Sequence, residues 1–298
     1  MKPKIIVIGG TNASGKSALG VALAEKYGGE IVSADSRQVF RGLDLGSGKI
    51  TPEEMRHVPH HLIDIREPND FFSVRDFQKL AYSAIDGILA RGHLPFLVGG
   101  TGLYVESITK GYGMSDTPPD LEYRAHLETF ETDALYEMLL KLRPDTTVDG
   151  KNRNRVMRLL EKIHDGDEGP APNDPRYACL KLGVTWDRET LRARIDERLE
   201  KRLAQGMVEE VQTLIHSGAT EEFLLKLGLE YRFLTKYLSG EYETLDEMKQ
   251  LLSTAIKQFA KRQEIWFKRD KEIHWLDMEN APFESACALI DAFIAGGR

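Results

Sequence analysis

The segment that most constrains the fold is Gly10–Ser17, which reads Gly-Thr-Asn-Ala-Ser-Gly-Lys-Ser. It matches the pattern G-x-x-x-x-G-K-[ST], whose backbone N–H groups surround phosphate oxygens at the positive end of a helix. The pattern carries this meaning only between a strand and a helix. Lys4–Ile8 is an apolar run typical of a buried strand, and Ser17–Tyr27 has apolar residues at helical spacing. The sequence therefore predicts a phosphate-binding loop.

Strand and helix patterns continue to alternate over the first 112 residues. Glu30–Ala34 and Leu94–Val98 are predicted strands, and Phe71–Leu89 is a predicted helix with Ser73 as its N-cap. This alternation requires crossover connections and predicts a parallel sheet flanked by helices.

From about Asp116 the chain becomes more polar and helix-rich, beginning with Pro118 and Pro119. The predicted elements are helices at 133–142 and 153–164, a loop at 165–175, a strand at 179–185, a helix at 190–216, helices within 221–238 and 245–269, and a strand at 273–276. We expect an α/β core like that of P-loop NTPases, formed by residues 1–115 and 179–298. Residues 116–178 are expected to form a helical insertion domain.

Composition narrows the class of protein. The 298 residues are 41% apolar and 29% charged, which is typical of a globular chain rather than a disordered one. No apolar run reaches the ~18 residues of a membrane span, and the N-terminus has no signal-peptide pattern, so we expect a cytoplasmic protein. Cys179 and Cys287 lie far apart, which fits reduced thiols and excludes a Cys-x-x-Cys zinc module.

The net charge of −7 argues at first against a nucleic-acid partner. The first 112 residues contain 13 Lys and Arg and 12 Asp and Glu. The remaining residues therefore contain 27 Lys and Arg and 35 Asp and Glu. The excess of acidic residues therefore lies in the second part of the chain. That part also contains two basic runs, Lys151–Arg158 and Lys257–Arg269, whose role depends on their local charge and not on the net charge of the chain. Taken alone, each run is more typical of a solvated helix face than of a nucleic-acid contact.

The residues that follow two other predicted strands indicate what kind of chemistry takes place beside the phosphate loop. Leu94–Val98 leads into Gly99-Gly100-Thr101-Gly102, where motor and switch NTPases have a metal-binding Asp. Asp35 follows the second strand, and parallel strands bring their carboxyl ends to the same edge as the phosphate loop. Asp35 is either a metal ligand or general base there, or a turn or helix-capping residue. For His60 and His61, hydrogen bonding is favoured over metal ligation.

Together these segments identify a family resemblance along nearly the whole chain. The matching blocks are Gly10–Ser17, Asp35-Ser36-Arg37-Gln38, Pro59–Asp64, Gly99–Tyr104, Asn154–Arg158 and Ala260–Phe267. The chain resembles tRNA dimethylallyltransferases of the bacterial type. The P-loop alone is shared with many folds, whereas this order of blocks is specific. Thr11-Asn12, Leu229-Glu230 and Ile265 depart from the commoner family residues, and these departures affect individual diphosphate and tRNA contacts rather than the reaction.

The resemblance implies transfer of a dimethylallyl group from its diphosphate to N6 of the adenosine 3′ of the anticodon. The residues expected to bind the diphosphate are Gly10, Thr11, Asn12, Ala13, Ser14, Gly15, Lys16 and Ser17. Lys16, the loop amides and Mg²⁺ held by Ser17 would stabilise the leaving diphosphate. Asp35 would orient the exocyclic amine and accept its proton, and Thr101 would donate a hydrogen bond towards the phosphates.

The implied partner is the anticodon stem-loop of tRNA, from which the target adenine must be extracted. The expected contacts to tRNA are Asp35, Ser36, Arg37, Gln38, Thr101, Arg124, Asn154, Arg155, Arg158, Lys261, Arg262 and Gln263, with Gln38 at the base edge. We expect one basic cleft on a mostly acidic, monomeric protein.

Three other functions stay open at this point. An adenylate isopentenyltransferase would perform the same chemistry on a free nucleotide and would not need the basic helices. A small-molecule P-loop kinase would use Asp35 to activate a hydroxyl group. A non-catalytic tRNA-binding protein would bind the anticodon loop without forming a product.

Overall fold

The computed structural model describes residues 2–114, 120–166 and 172–296. The chain forms two compact units, one of Met1–Lys110 with Pro175–Arg298 and a smaller one of Gly111–Asp174. The larger unit contains a six-stranded parallel sheet with the strand order β3-β2-β4-β1-β5-β6.

The strands are β1 (Lys4–Gly10), β2 (Gly29–Ser33), β3 (His60–His61), β4 (Leu94–Gly99), β5 (Ala178–Thr185) and β6 (His274–Asp277). The helices are α1 (Lys16–Lys26), α2 (Pro52–Met55), α3 (Val74–Ala90), α4 (Gly102–Thr109), α5 (Leu121–Glu128), α6 (Thr132–Leu142), α7 (Arg153–His164), α8 (Arg188–Ala204), α9 (Met207–His216), α10 (Glu221–Leu227), α11 (Leu229–Leu238), α12 (Leu245–Lys268) and α13 (Pro282–Ala295). The predicted α/β class with a parallel sheet is confirmed.

Both faces of β1 are buried because its side chains alternate between two cores. Ile6 and Ile8 belong to one cluster with Leu23 of α1, and Ile5 and Val7 belong to the opposite cluster with Phe77 of α3. This explains why the strand is an unbroken apolar run rather than an alternating one. The carboxyl ends of β1, β2 and β4 consequently meet at one edge, from which the phosphate loop and the loops carrying Asp35 and Thr101 emerge.

A third apolar cluster, formed mainly by helices, packs against the loop that follows β2 at this edge of the sheet. Val39 and Leu43, in the loop after β2, are fully buried against Tyr231 and Leu234 of α11 and Ile256 of α12, with other apolar residues of α8 and α9. The position of the loop after β2 therefore depends on helices that lie about 200 residues away in sequence.

Several elements differ from the sequence prediction. The single helix predicted at 190–216 is two helices, because Gly206 adopts φ 99° between α8 and α9. The two-residue strand β3 and the terminal helix α13 were not predicted. His60 and His61 form hydrogen bonds of 2.8 Å with Val58 O and 2.7 Å with Glu30 Oε2, respectively, which confirms the hydrogen-bonding interpretation.

The smaller unit has its own apolar core, formed by Leu127, Leu135, Leu139, Val156, Met157 and Leu160 from α5, α6 and α7. Its observed limits are Gly111 and Asp174, against the expected 116 and 178. Pro118, Pro119 and part of the loop at 165–175 lie outside the described residues.

Cys179 and Cys287 are both free thiols. Within residues 2–114, 120–166 and 172–296, every helix is too short or too polar to cross a lipid bilayer.

Candidate active site

The phosphate loop connects β1 directly to α1 and contains two residues in the left-handed backbone conformation. Ala13 has φ 60° and Gly15 has φ 86°, which turns the backbone around the start of the helix. The Ser14 hydroxyl donates to Thr11 O at 2.8 Å. Three groups from distant segments also contact this loop: the Trp186 indole N–H donates to Ser14 O, Arg194 Nε donates to Ala13 O, and Gln263 Oε1 accepts from Asn12 N.

Lys16 is the cation at the centre of the loop. Its ammonium group donates to Thr11 O at 3.1 Å, so the side chain folds back over the space that a phosphate would enter. Burial lowers the pKa of Lys16 to about 8, with Asp35 opposing this and the guanidinium groups of Arg198, Arg37 and Arg202 adding to it. A bound anion would raise the pKa of Lys16 and so favour the charged form of its ammonium group.

Asp35 and Thr101 leave the sheet on adjacent strands, β2 and β4, and their loops are hydrogen-bonded to each other. Thr101 N donates to Ala34 O at 3.2 Å, and Thr101 Oγ1 accepts from Ser36 N at 3.1 Å. Asp35 Oδ1 accepts from Arg37 N at 3.0 Å. The sequence prediction that these two strand ends lie together is confirmed, and each side chain is held by a hydrogen bond from the backbone.

Arg37, one of the expected tRNA contacts, is instead buried at 8% exposure. Its guanidinium contacts Glu230 Oε2 at 2.6 Å, and Arg202 lies 3.6 Å from the other oxygen of the same carboxylate. Burial lowers the pKa of Arg37, but the carboxylates of Glu230 and Asp35 outweigh it and raise the pKa above its usual value. The guanidinium is thus committed within the protein, which argues against a direct contact to tRNA.

Gln38 lies beside the phosphate loop, with its amide held on both sides. Its Oε1 accepts from Ser33 Oγ at 3.2 Å and its Nε2 donates to Gly48 O at 3.3 Å. Arg198 also reaches Gly48 O, at 3.4 Å. The Gly-rich loop around Gly48 is therefore a wall of the site.

A row of arginines on α8 was not predicted from the sequence. Arg194, Arg198 and Arg202 repeat every four residues, so they share one helix face, and all three line the cleft in front of the phosphate loop. Burial lowers the pKa of Arg198. Burial is also the main cause that lowers the pKa of Arg202, to about 10. The spacing was visible in the sequence, but the position of α8 against the loop was not.

These groups surround a cleft of about 500 Å³. Its lining joins residues 12–18 of the phosphate loop to Asp35, Gln38 and the α8 arginines. A smaller recess of about 20 Å³ adjoins it, lined by Lys16, Ser17 and Asp35 together with apolar side chains that include Ile31, Ile50, Ile63 and Val98. The site thus combines an anion-binding cleft with a small recess beside the carboxylate, whose lining is partly polar and partly apolar.

Gln263, another expected tRNA contact, is only 6% exposed. Its Nε2 donates to Gly100 O at 2.9 Å, while its Oε1 accepts from the phosphate loop. Both ends of the amide are used inside the protein, which favours a positioning role over a tRNA contact. The neighbours Lys261 and Arg262 are exposed, with Arg262 lying 5.7 Å from the centre of the Phe259 ring.

In the smaller unit, Arg124 and Arg158 both contact Glu161, whose side chain is fully buried. The side chains of Arg124 and Arg158 are 27% and 32% exposed, respectively. Asn154 and Arg155, at the start of α7, are exposed.

The sequence matches two family models. One, described as IPP transferase, covers residues 38–270, and the other, described as isopentenyl transferase, covers residues 3–70. Among curated proteins, the chain is 42% identical over 292 residues to tRNA dimethylallyltransferase 1 of Geotalea uraniireducens, covering 96% of each chain. It is 44% identical over 298 residues to tRNA dimethylallyltransferase 2 of Shewanella sediminis, covering 96% of this chain and 97% of that one.

Solved structures give the same result. A tRNA isopentenylpyrophosphate transferase from Bacillus halodurans has a TM-score of 0.75 at 38% identity, covering 99% of this chain and 96% of that one. A eukaryotic dimethylallyltransferase acting on tRNA has a TM-score of 0.78 at 25% identity, covering 99% and 80%.

Proposed function

The chain belongs to the IPP transferase family and is a tRNA prenyltransferase, and we propose that it transfers a dimethylallyl group from dimethylallyl diphosphate to N6 of the adenosine 3′ of the anticodon. The observation that carries this proposal is that Asp35 lines both the cleft of the phosphate loop and the adjoining recess with its isoleucine and valine side chains. This arrangement offers a binding site for a diphosphate, apolar contacts for a carbon chain and a carboxylate that can accept a proton from an amine.

The diphosphate would bind to the loop amides of residues 10–17 and to Lys16. The arginines of α8 face the same cleft and supply further positive charge. These donors stabilise the charge that develops on the diphosphate as the C–O bond to the dimethylallyl group breaks.

Asp35 would accept the proton of the adenosine amine as the new C–N bond forms. Its carboxylate is aimed by the Arg37 N–H, and its loop is fixed to Thr101. Thr101 has a hydroxyl at the same strand edge and would donate towards the departing phosphates. Ile31, Ile63 and Val98 of the recess would contact the dimethylallyl chain, which is larger than the recess of about 20 Å³ and would extend into the adjoining cleft.

The oxygen donors of Ser17 and Asp35 line the same recess, and hard oxygen ligands of this kind suit Mg²⁺. We propose that Ser17 holds the ion. When bound, Mg²⁺ adds positive charge next to the leaving diphosphate.

We propose that the anticodon stem-loop contacts Lys261 and Arg262 in the larger unit and Asn154, Arg155, Arg124 and Arg158 in the smaller one. The enzyme would act as a monomer, because one chain supplies the phosphate loop, Asp35 and Thr101. It would act in the cytoplasm, where tRNA is available for modification.

The test is mass analysis of unmodified tRNA after incubation with the enzyme, Mg²⁺ and labelled dimethylallyl diphosphate. We expect one dimethylallyl group on the adenosine 3′ of the anticodon. Asp35→Asn should reduce the rate by about 10²–10⁴-fold, while inorganic diphosphate binds at least as tightly. Asp70→Asn, at an exposed loop carboxylate, is the control. Labelling of AMP instead of tRNA, or an unchanged rate in Asp35→Asn, would contradict the proposal.

A further inference from the structure

We propose that Glu230 is a positioning residue of the transfer reaction, which holds the Asp35 loop through Arg37 and sets the charge of the diphosphate cleft. This inference rests on the proposed function. Glu230 is 2% exposed, lies in the first turn of α11 and lines the same cleft as the phosphate loop.

The contacts of Glu230 connect it to both halves of the site. One carboxylate oxygen contacts Arg37 at 2.6 Å, and the peptide N–H of Arg37 is the group that holds Asp35 Oδ1. The other oxygen lies 3.6 Å from Arg202 of the α8 row. A single carboxylate therefore restrains the residue that aims Asp35 and offsets part of the positive charge in front of the phosphate loop.

The backbone before Glu230 is strained in a way that directs this side chain. Gly228, the one residue between α10 and α11, has φ 74°, and Leu229, the first residue of α11, has φ 42°. Leucine adopts such a conformation only at an energetic cost, and such strain is retained where surrounding contacts fix it. The break begins α11 one residue before Glu230.

The next residue connects α11 to the Gly-rich loop at 44–48, which also lines the cleft. Tyr231 Oη accepts from Ser47 N at 3.1 Å and donates to Glu210 at 2.9 Å, and Gly46 packs directly on the Tyr231 ring. Glu230 and Tyr231 thus hold two loops that line the cleft, the loop at 35–38 and the Gly-rich loop at 44–48. The ion pair of Glu230 and the two hydrogen bonds of the Tyr231 hydroxyl therefore link α11 to both loops.

Two substitutions of Glu230 distinguish the effect of its position from the effect of its charge. Glu230→Gln keeps the shape but frees Arg37 and Arg202 from the negative charge, so kcat should fall about 10- to 100-fold. Inorganic diphosphate should bind this variant more tightly than the parent, because the cleft loses a carboxylate. Glu230→Asp keeps the charge and withdraws it by one methylene, so kcat should fall while diphosphate binding stays unchanged.

The measurements are kcat with labelled dimethylallyl diphosphate and saturating tRNA, the Kd of inorganic diphosphate by calorimetry, and the Tm. Glu222→Gln removes an exposed ion pair with Lys226 on α10 and serves as the matched control. A merely structural role would lower Tm without tightening diphosphate binding.

A kcat within twofold of the parent in either variant overturns the proposal, and so does weaker diphosphate binding by Glu230→Gln. If Glu230→Gln does not fold, kcat of Glu230→Asp decides alone. If the parent itself transfers no label to tRNA, the proposed function has failed, and the diphosphate titration still decides whether Glu230 sets the charge of the cleft.

Discussion

The side-chain amide of Gln263 accepts a hydrogen bond from Asn12 N and donates one to Gly100 O, each at 2.9 Å. This residue of α12 therefore connects the phosphate loop after β1 to the glycine loop after β4. A single planar amide satisfies one partly buried donor and one buried acceptor, and no other residue type of similar size offers both groups with the same geometry. The two loops are held together by a helix from the far end of the chain.

Gln263→Leu should remove this connection and leave both backbone groups unsatisfied. We expect the free energy of unfolding to fall by about 1–3 kcal/mol and KM for dimethylallyl diphosphate to rise, because Asn12 lies within the phosphate loop. Urea unfolding and steady-state kinetics test this. Gln258→Leu, at an exposed position of the same helix, should change neither quantity. A variant with normal stability and normal KM would show that the amide does not hold the loop.

The pKa of Lys16 predicts how diphosphate binding depends on pH. Because burial lowers this pKa to about 8 in the free protein, Lys16 is charged at pH 7 and loses its proton as the pH rises through about 8. Binding of inorganic diphosphate should therefore weaken over the same range, which calorimetry at several pH values would detect. Lys16→Met should bind weakly and show only the pH dependence of the ligand and the other groups. The same dependence in parent and variant would contradict this assignment.

Gly48 offers a test of the arginine row. It has φ 62°, and a Cβ there would lie 1.6 Å from Arg202 and 2.2 Å from Arg198, so Gly48→Ala must displace both guanidinium groups. We expect KM for dimethylallyl diphosphate to rise by about 10- to 100-fold, by analogy with the loss of one charge-assisted hydrogen bond of about 1.5–3 kcal/mol. Gly28→Ala is the matched control, since Gly28 has φ 58° and open space at its Cβ position. Equal changes in both variants would attribute the effect to backbone strain.

The local part of this site was predictable because each element has its own pattern. The apolar run at Lys4–Ile8, the Gly10–Ser17 motif and the strand ends at Asp35 and Thr101 determine which groups reach the carboxyl edge of the sheet. A parallel sheet brings those ends together whatever the remaining helices do.

The contributions of distant helices were not predictable in the same way. The arginines of α8 are spaced as on any charged helix, and only the packing of α8 beside the phosphate loop distinguishes them from a solvated face. The resemblance implies tRNA contacts for Arg37 and Gln263, because both lie in blocks that match the family. Their burial depends on Glu230 and on α12, and neither interaction leaves a local signal in the sequence.

The basic residues that remain exposed predict the salt dependence of tRNA binding. Arg155 and the pair Lys261 and Arg262 lie on different units, and each is exposed. If they bind tRNA phosphates, Arg155→Ala and Lys261→Ala should each weaken binding to every tRNA tested. Each should also reduce the slope of log K against log salt by about 0.7–0.9, because one phosphate fewer is neutralised. Filter binding between about 50 and 200 mM salt measures this slope.

The control for these two variants is Lys236→Ala, which removes a cation paired with Glu241 and should leave the slope unchanged. Steady-state KM for dimethylallyl diphosphate should be unaffected in all three variants, because the side chains of Arg155, Lys261 and Lys236 do not line the cleft. A raised KM would indicate that the substitution disturbs the diphosphate site rather than the tRNA interface. Unchanged slopes in Arg155→Ala and Lys261→Ala would mean that the protein neutralises tRNA phosphates with other residues.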